Sequence, residues 1–230
     1  MRQYAVRLHA TAFMAALLTL GLGYTLAERE VARTFDEWQA INPALEHYQP
    51  LHEHWEPMMG IHWGVEGPHV TVGVGYDDLV VVVEAIYPAE IGWYPWFDQP
   101  EGEPMDLEGF GPAYTQHIWI TEPETVRPDE TPTFVPLTLP ALEEINPALE
   151  QYERVSEYVP HMGYHYGVMG PSLVLAVSPA GEVNAFELIF PAEDGWFPWF
   201  DQSEGEPMEL PELGQVYTQH LYVVDPATLP

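Results

Sequence analysis

Glu84 stands in Val80-Val81-Val82-Val83-Glu84-Ala85-Ile86-Tyr87, where positions on both sides of an extended chain are apolar. Glu187 repeats the situation in Ala185-Phe186-Glu187-Leu188-Ile189-Phe190. Such a run reads as a central strand covered on both faces. An unpaired carboxylate there costs roughly several kcal/mol or takes up a proton. It needs a cation, a histidinium or hydrogen-bond donors, and the chain has no lysine and only six arginines. Two histidines recur in register with each glutamate: His62 and His117 with Glu84, His165 and His220 with Glu187. His47, His52, His54, His69 and His161 have no histidine at the equivalent position of the other copy. Two imidazoles and one carboxylate can form a facial metal triad with open positions for water or substrate, suited to Zn, Fe, Mn or Cu. The same residues also fit a Glu–His hydrogen-bond network that satisfies a buried acid without any cofactor, or acid/base work without metal.

A second set of residues lies in two aromatic loops. Trp93, Trp96 and Phe97 recur as Trp196, Trp199 and Phe200, followed by Asp98-Gln99 and Asp201-Gln202. The four tryptophans are candidate platforms for a sugar ring or an apolar small molecule, with the Asp-Gln pairs as hydrogen-bonding neighbours. Aromatics and prolines in such a loop equally serve to pin it onto a sheet. The acids of 98–108 and 201–212 lack the order of a dedicated calcium loop. A glycine-rich phosphate loop, a Gly-x-Ser-x-Gly elbow, a cysteine nucleophile and a zincin motif are all absent from the sequence, so hydrolase and nucleotide-enzyme readings lack support.

The elements that must position these residues come twice. Ile41-Asn42-Pro43-Ala44-Leu45-Glu46 returns as Ile145-Asn146-Pro147-Ala148-Leu149-Glu150, and Tyr114-Thr115-Gln116-His117 returns as Tyr217-Thr218-Gln219-His220. Such internal similarity marks a tandem duplication. Residues 28–48 and 139–158 carry helix-compatible spacing, broken at Asn42-Pro43 and Asn146-Pro147. Strands are predicted over Val70–Tyr76, Leu79–Tyr87 and Tyr114–Thr121, with partners Leu173–Val177, Val183–Phe190 and Tyr217–Val224. The expected fold is α+β: two modules, each a helical front segment followed by a mainly antiparallel sheet. The spacing is compatible with separate modules and with one closed pseudo-two-fold body. The expected boundaries are a signal peptide over 1–27, module 1 over 28–121, a proline-rich acidic linker over 122–140 and module 2 over 141–230.

Arg2 and Arg7 precede an apolar run ending at Leu22, and Thr25-Leu26-Ala27 then supplies small residues. This is the order of a secretory signal peptide, with cleavage expected after Ala27. The run is shorter than the ~20 residues that span a bilayer. The expectation is therefore a periplasmic or secreted protein, free of the membrane after cleavage. From Glu28 onward the chain holds four arginines against 36 acids, a formal charge of −32. That coat repels phosphate backbones and anionic lipid, so nucleic acid is not an expected partner. With 47% hydrophobic and 13% aromatic residues the composition is that of a folded protein with an acidic surface. Adaptation to high salt explains it. The melting temperature is expected to rise between 0.1 and 2 M NaCl, beyond the rise given by a neutral osmolyte, because the Debye length falls to ~3 Å at 1 M salt.

The order Met59-Gly60-x-His62-Trp63, Glu84, His117, repeated as Met162-Gly163-x-His165-Tyr166, Glu187, His220, resembles a poorly characterised family of small exported bacterial proteins. That family is the Thermus sigma-factor-controlled hypothetical protein type, a domain of unknown function. The resemblance covers residues 58–121 and 161–224, once per module. It implies the same His/Glu/His set, and the acidic tryptophan loops depart from its pattern. The leading expectation is an exported acidic binding protein, its ligand unassigned, with a divalent-metal site in each module. A metal-dependent isomerase, cyclase or oxygenase using the same residues is one alternative. Carbohydrate or apolar-ligand binding through the tryptophan loops is the other.

Overall fold

Valine, isoleucine and aromatic side chains fit the half-buried, pleated surface of a sheet, and the chain's runs of them form its interior strands. The computed structural model describes residues 30–51, 61–66, 69–107, 110–128, 130–155, 166–169, 173–178, 180–210 and 213–229, with only the backbone for 51, 61–66, 153–155 and 166–169. In the first module β1 (Gln49–Leu51), β2 (Ile61–Glu66), β3 (Val70–Gly75), β4 (Val80–Pro88), β5 (Met105–Leu107) and β6 (Gly111–Trp119) form one antiparallel sheet in the order β1-β2-β3-β4-β6-β5. The second module repeats it with β7 (Glu153–Val155), β8 (Tyr166–Met169), β9 (Leu173–Val177), β10 (Val183–Pro191), β11 (Met208–Leu210) and β12 (Gly214–Tyr222), ordered β7-β8-β9-β10-β12-β11. The molecule is thus a two-module, mainly-β body. Part of the acidic stretch that follows the first aromatic loop is recruited to the sheet: β5 pairs with the start of β6.

The front segments hold less helix than their spacing suggests. Helix α1 (Phe35–Ile41) starts at a capping box in which Thr34 and Glu37 satisfy each other's backbone N–H groups. It stops after seven residues at Asn42, and a short 3-10 turn runs from Pro43 to His47. Helix α2 (Leu139–Ile145) stops at Asn146 and is followed by the turn Pro147–Gln151. The cause is local. Each proline disfavours helical geometry in the asparagine before it, and each asparagine turns its side-chain amide back to the helix, onto the carbonyl of Trp38 or Leu142.

These segments also tie the modules together. The stretch before α1 pairs with its own module's β3–β4 hairpin, through Phe35 N–H to Asp78 O at 2.9 Å and Val80 N–H to Arg33 O at 2.8 Å. The same stretch reaches across through Ala32 N–H to Val223 O at 3.0 Å, and after α1 the chain does so again. Asn42 accepts from Tyr222 N–H at 2.7 Å and donates to Tyr222 O at 2.9 Å, and the Tyr48 hydroxyl donates to Gln219 Oε1 at 2.6 Å. The second module reciprocates: Asn146 takes both backbone groups of Trp119 at 2.8 and 2.9 Å, and Tyr152 donates to Gln116. One continuous core results, with Trp38, Leu142, Val83, Phe186 and Tyr87 all at most 1% exposed. Among the described residues no helix is long and apolar enough to cross a membrane.

Candidate functional site

Strand register brings the recurring glutamate and histidine side by side. Glu84 on β4 pairs directly with His117 on β6, and Glu187 on β10 with His220 on β12. Directly opposed residues of an antiparallel pair share one face. Here that face lies opposite the shared core, which takes Val83, Ala85, Tyr114 and Ile118 from the alternate positions. His117 Nε2 is 3.6 Å from Glu84 Oε1, and His220 Nε2 is 3.8 Å from Glu187 Oε1. Without a metal, a direct Glu–His hydrogen bond would be shorter than either distance. The short bond runs elsewhere. Nδ1 of each histidine lies 2.8 Å from a carboxylate oxygen, of Asp98 in one module and Asp201 in the other.

Each aspartate arrives on the aromatic loop, and the loop is latched to the site strand. Asp98 N–H donates to Thr115 O at 2.8 Å, Thr115 N–H donates to Gln99 Oε1 at 2.7 Å, and His117 N–H donates to Asp98 Oδ2 at 3.1 Å. In the second module Asp201 and Gln202 make the corresponding bonds to Thr218. In the sequence Asp98-Gln99 and Asp201-Gln202 stand beside the candidate tryptophan platforms. Their recurrence was the available signal, but nothing in spacing ties them to the histidines.

A carboxylate can only accept, so Nδ1–H donates to the aspartate and Nε2 is the nitrogen turned to the glutamate. Burial is the largest influence on both histidines and pulls their pKa down. The bond to the aspartate and the charges of glutamate and aspartate outweigh it, leaving both above the usual value. Burial pushes Glu187 up to about 7 against the attraction of His220, with the Asp201 charge adding to the rise. Its side chain is 7% exposed, and Oε2 is buried with no hydrogen-bond partner among the described residues.

The side chains of the other two candidate ligands, His62 and His165, lie outside the described residues. His62 is described by its backbone alone, between Ile61 and Trp63, which pair with Gly75 and Val74. The Glu84 row instead passes through Thr71 to Glu66, four residues further along β2. Among the described residues no group of three His, Asp, Glu or Cys side chains surrounds a position for an ion.

The tryptophans pack among themselves. The indole N–H of Trp93 donates to Gln99 O at 2.9 Å, and that of Trp196 donates to Gln202 O at 2.8 Å. Trp96 stacks on Tyr94 at 4.6 Å and meets Tyr152 edge-on, while Trp199 stacks on Phe197 at 4.7 Å and meets Tyr48. All four rings are half-buried, and Trp96 and Trp199 each touch a tyrosine from the other module's front segment. No family model, curated protein or solved structure matches the chain.

Proposed function

We propose that this chain is an exported acidic binding protein that takes up one divalent transition-metal ion per module, at Glu84–His117 and at Glu187–His220. The observation that carries the reading is the duplicated Asp–His–Glu order. Metal-binding histidines characteristically give their other ring N–H to a carboxylate, which fixes the ring and raises its basicity. Here Asp98 and Asp201 hold Nδ1 at 2.8 Å and turn Nε2 to a glutamate oxygen. Two donors each ~2.0–2.1 Å from a tetrahedral ion lie ~3.4 Å apart. The observed 3.6 and 3.8 Å need only a few tenths of an ångström of adjustment. Water or a small-molecule ligand takes the remaining positions. The acidic coat raises the local concentration of any cation. With two protein donors per ion, affinity falls well short of a closed structural zinc site.

Equilibrium dialysis of tag-free protein against Zn²⁺ at moderate salt, followed by elemental analysis, tests the reading. The expected count is two ions per chain, one in Glu84→Gln and none in Glu84→Gln/Glu187→Gln. Two ions retained by the double variant would assign them to the acidic surface and end the proposal, as would no uptake by the wild type.

A further inference from the structure

The outer edge of each site strand is closed by side chains. β5 pairs with β6 only over Gly111–Ala113, so among the described residues no strand borders the rest of β6 on that side. The edge-facing backbone groups there belong to Thr115, His117 and Trp119, which alternate along the strand. Thr115 and His117 are taken by Asp98 and Gln99 of the same module. Trp119 is taken at both N–H and C=O by Asn146, which comes from the other module and is 4% exposed. On the opposite face Gln116, the residue before His117, accepts from Tyr152 of the other module. In β12 Gln202 and Asp201 take Thr218, Asn42 takes Tyr222, and Tyr48 binds Gln219 beside His220.

We propose that Asn42 and Tyr48 position the histidine of the second module, and that Asn146 and Tyr152 position the histidine of the first. Each Glu–His pair is set in trans. A strand free on one edge twists and slips more readily, and a one-residue slip turns every side chain to the opposite face. Asn42 and Asn146 lock the edge two residues beyond each histidine. Tyr48 and Tyr152, both buried, lock the residue before it. The pair therefore meets its partner glutamate only while the opposite front segment is docked. A chain carrying one module would have to pair with a second copy to build the site. What the site binds rests on the metal reading, whereas the positioning itself does not.

The test uses the full chain without metal, so that the two ideas can fail separately. Ring ¹⁵N and Nδ1–H resonances of His117 and His220, assigned through Glu84→Gln and Glu187→Gln, are compared in Tyr48→Phe and Tyr152→Phe. Each substitution deletes one hydroxyl and keeps the ring. Tyr48→Phe is expected to shift the His220 signals and leave His117 in place, and Tyr152→Phe to do the reverse. Asn42→Asp, which keeps the acceptor for Tyr222 N–H, serves as a second module-2 variant should Tyr48→Phe fail to fold. With Zn²⁺, Tyr48→Phe in the Glu84→Gln background should weaken the remaining site about fivefold, the equivalent of one hydrogen bond. In the Glu187→Gln background it should leave affinity unchanged. Shifts confined to the variant's own module, equal shifts in both, or none in either would overturn positioning in trans. Shifts of the expected pattern without zinc uptake would uphold it and remove the metal reading alone.

Discussion

Glu187→Gln is expected to stabilise the metal-free protein at pH 8 and to leave its stability nearly unchanged at pH 4. Burial raises the carboxyl of Glu187 from 4.5 to about 7. The folded protein therefore binds more protons than the unfolded chain between those values, and stability falls as pH rises through them. Above pH 7 the folded state carries a buried carboxylate, and below 4.5 both states are protonated. A shift of this size corresponds to about 3 kcal/mol. Glutamine keeps the shape and removes the charge. For a chain this long the gain at pH 8 is roughly 6–10 °C in melting temperature. The two raised histidines contribute with the same sign: their stabilisation is fully present below pH 6.5 and is lost as pH rises through their folded values. Melts of wild type and Glu187→Gln from pH 4 to 9 report the glutamate together with its coupling to His220. A constant offset across that range would show that Glu187 is solvated in the folded state.

Asn42→Ala is expected to be among the most damaging substitutions of a polar residue, costing about 3 kcal/mol. The side chain is 3% exposed and makes three bonds, to Trp38 O, Tyr222 O and Tyr222 N–H. Truncation leaves the Tyr222 backbone groups without them in a partly buried setting, at ~1–2 kcal/mol for each orphaned group. It also removes the side-chain bond at the end of α1, while Tyr48 still holds Gln219 of β12. Asn146→Ala should match it, since Asn146 makes the same bonds to Leu142 and Trp119. Glu46→Ala, on the exposed side of the neighbouring turn, is the control and should stay within ~0.5 kcal/mol. Urea denaturation of the three variants decides the matter. Asparagine variants as stable as the control would mean that the modules hold together without these asparagine bonds.

Much of the architecture was legible in the chain. Repeated motifs announced two copies. Unbroken apolar runs identified β4 and β10, and these lie inside their sheets, flanked on both sides. Asn42-Pro43 and Asn146-Pro147 marked where helices stop. The extent of helix was misjudged, because 28–48 and 139–158 keep apolar residues at helical spacing even where 3-10 turns bury them. The short edge strands β1, β5, β7 and β11 were invisible: three residues carry no periodicity.

The sequence by itself determined which residues are duplicated, and hence that Glu84 and Glu187 needed polar partners inside apolar strands. It determined the acidic surface and the absence of lysine that left histidine as the available side-chain partner. Only the tertiary structure decided that His117 lies directly opposite Glu84 and His220 opposite Glu187, because pairing depends on the register of β4 with β6 and of β10 with β12. It also decided that Asp98 and Asp201 belong to that cluster, since the aromatic loop must fold back along the strand edge before they reach Nδ1. The exchange of Asn42, Tyr48, Asn146 and Tyr152 between modules lay furthest from view. Local pattern encodes which face of a segment is buried, but not which copy of two near-identical sheets will bury it.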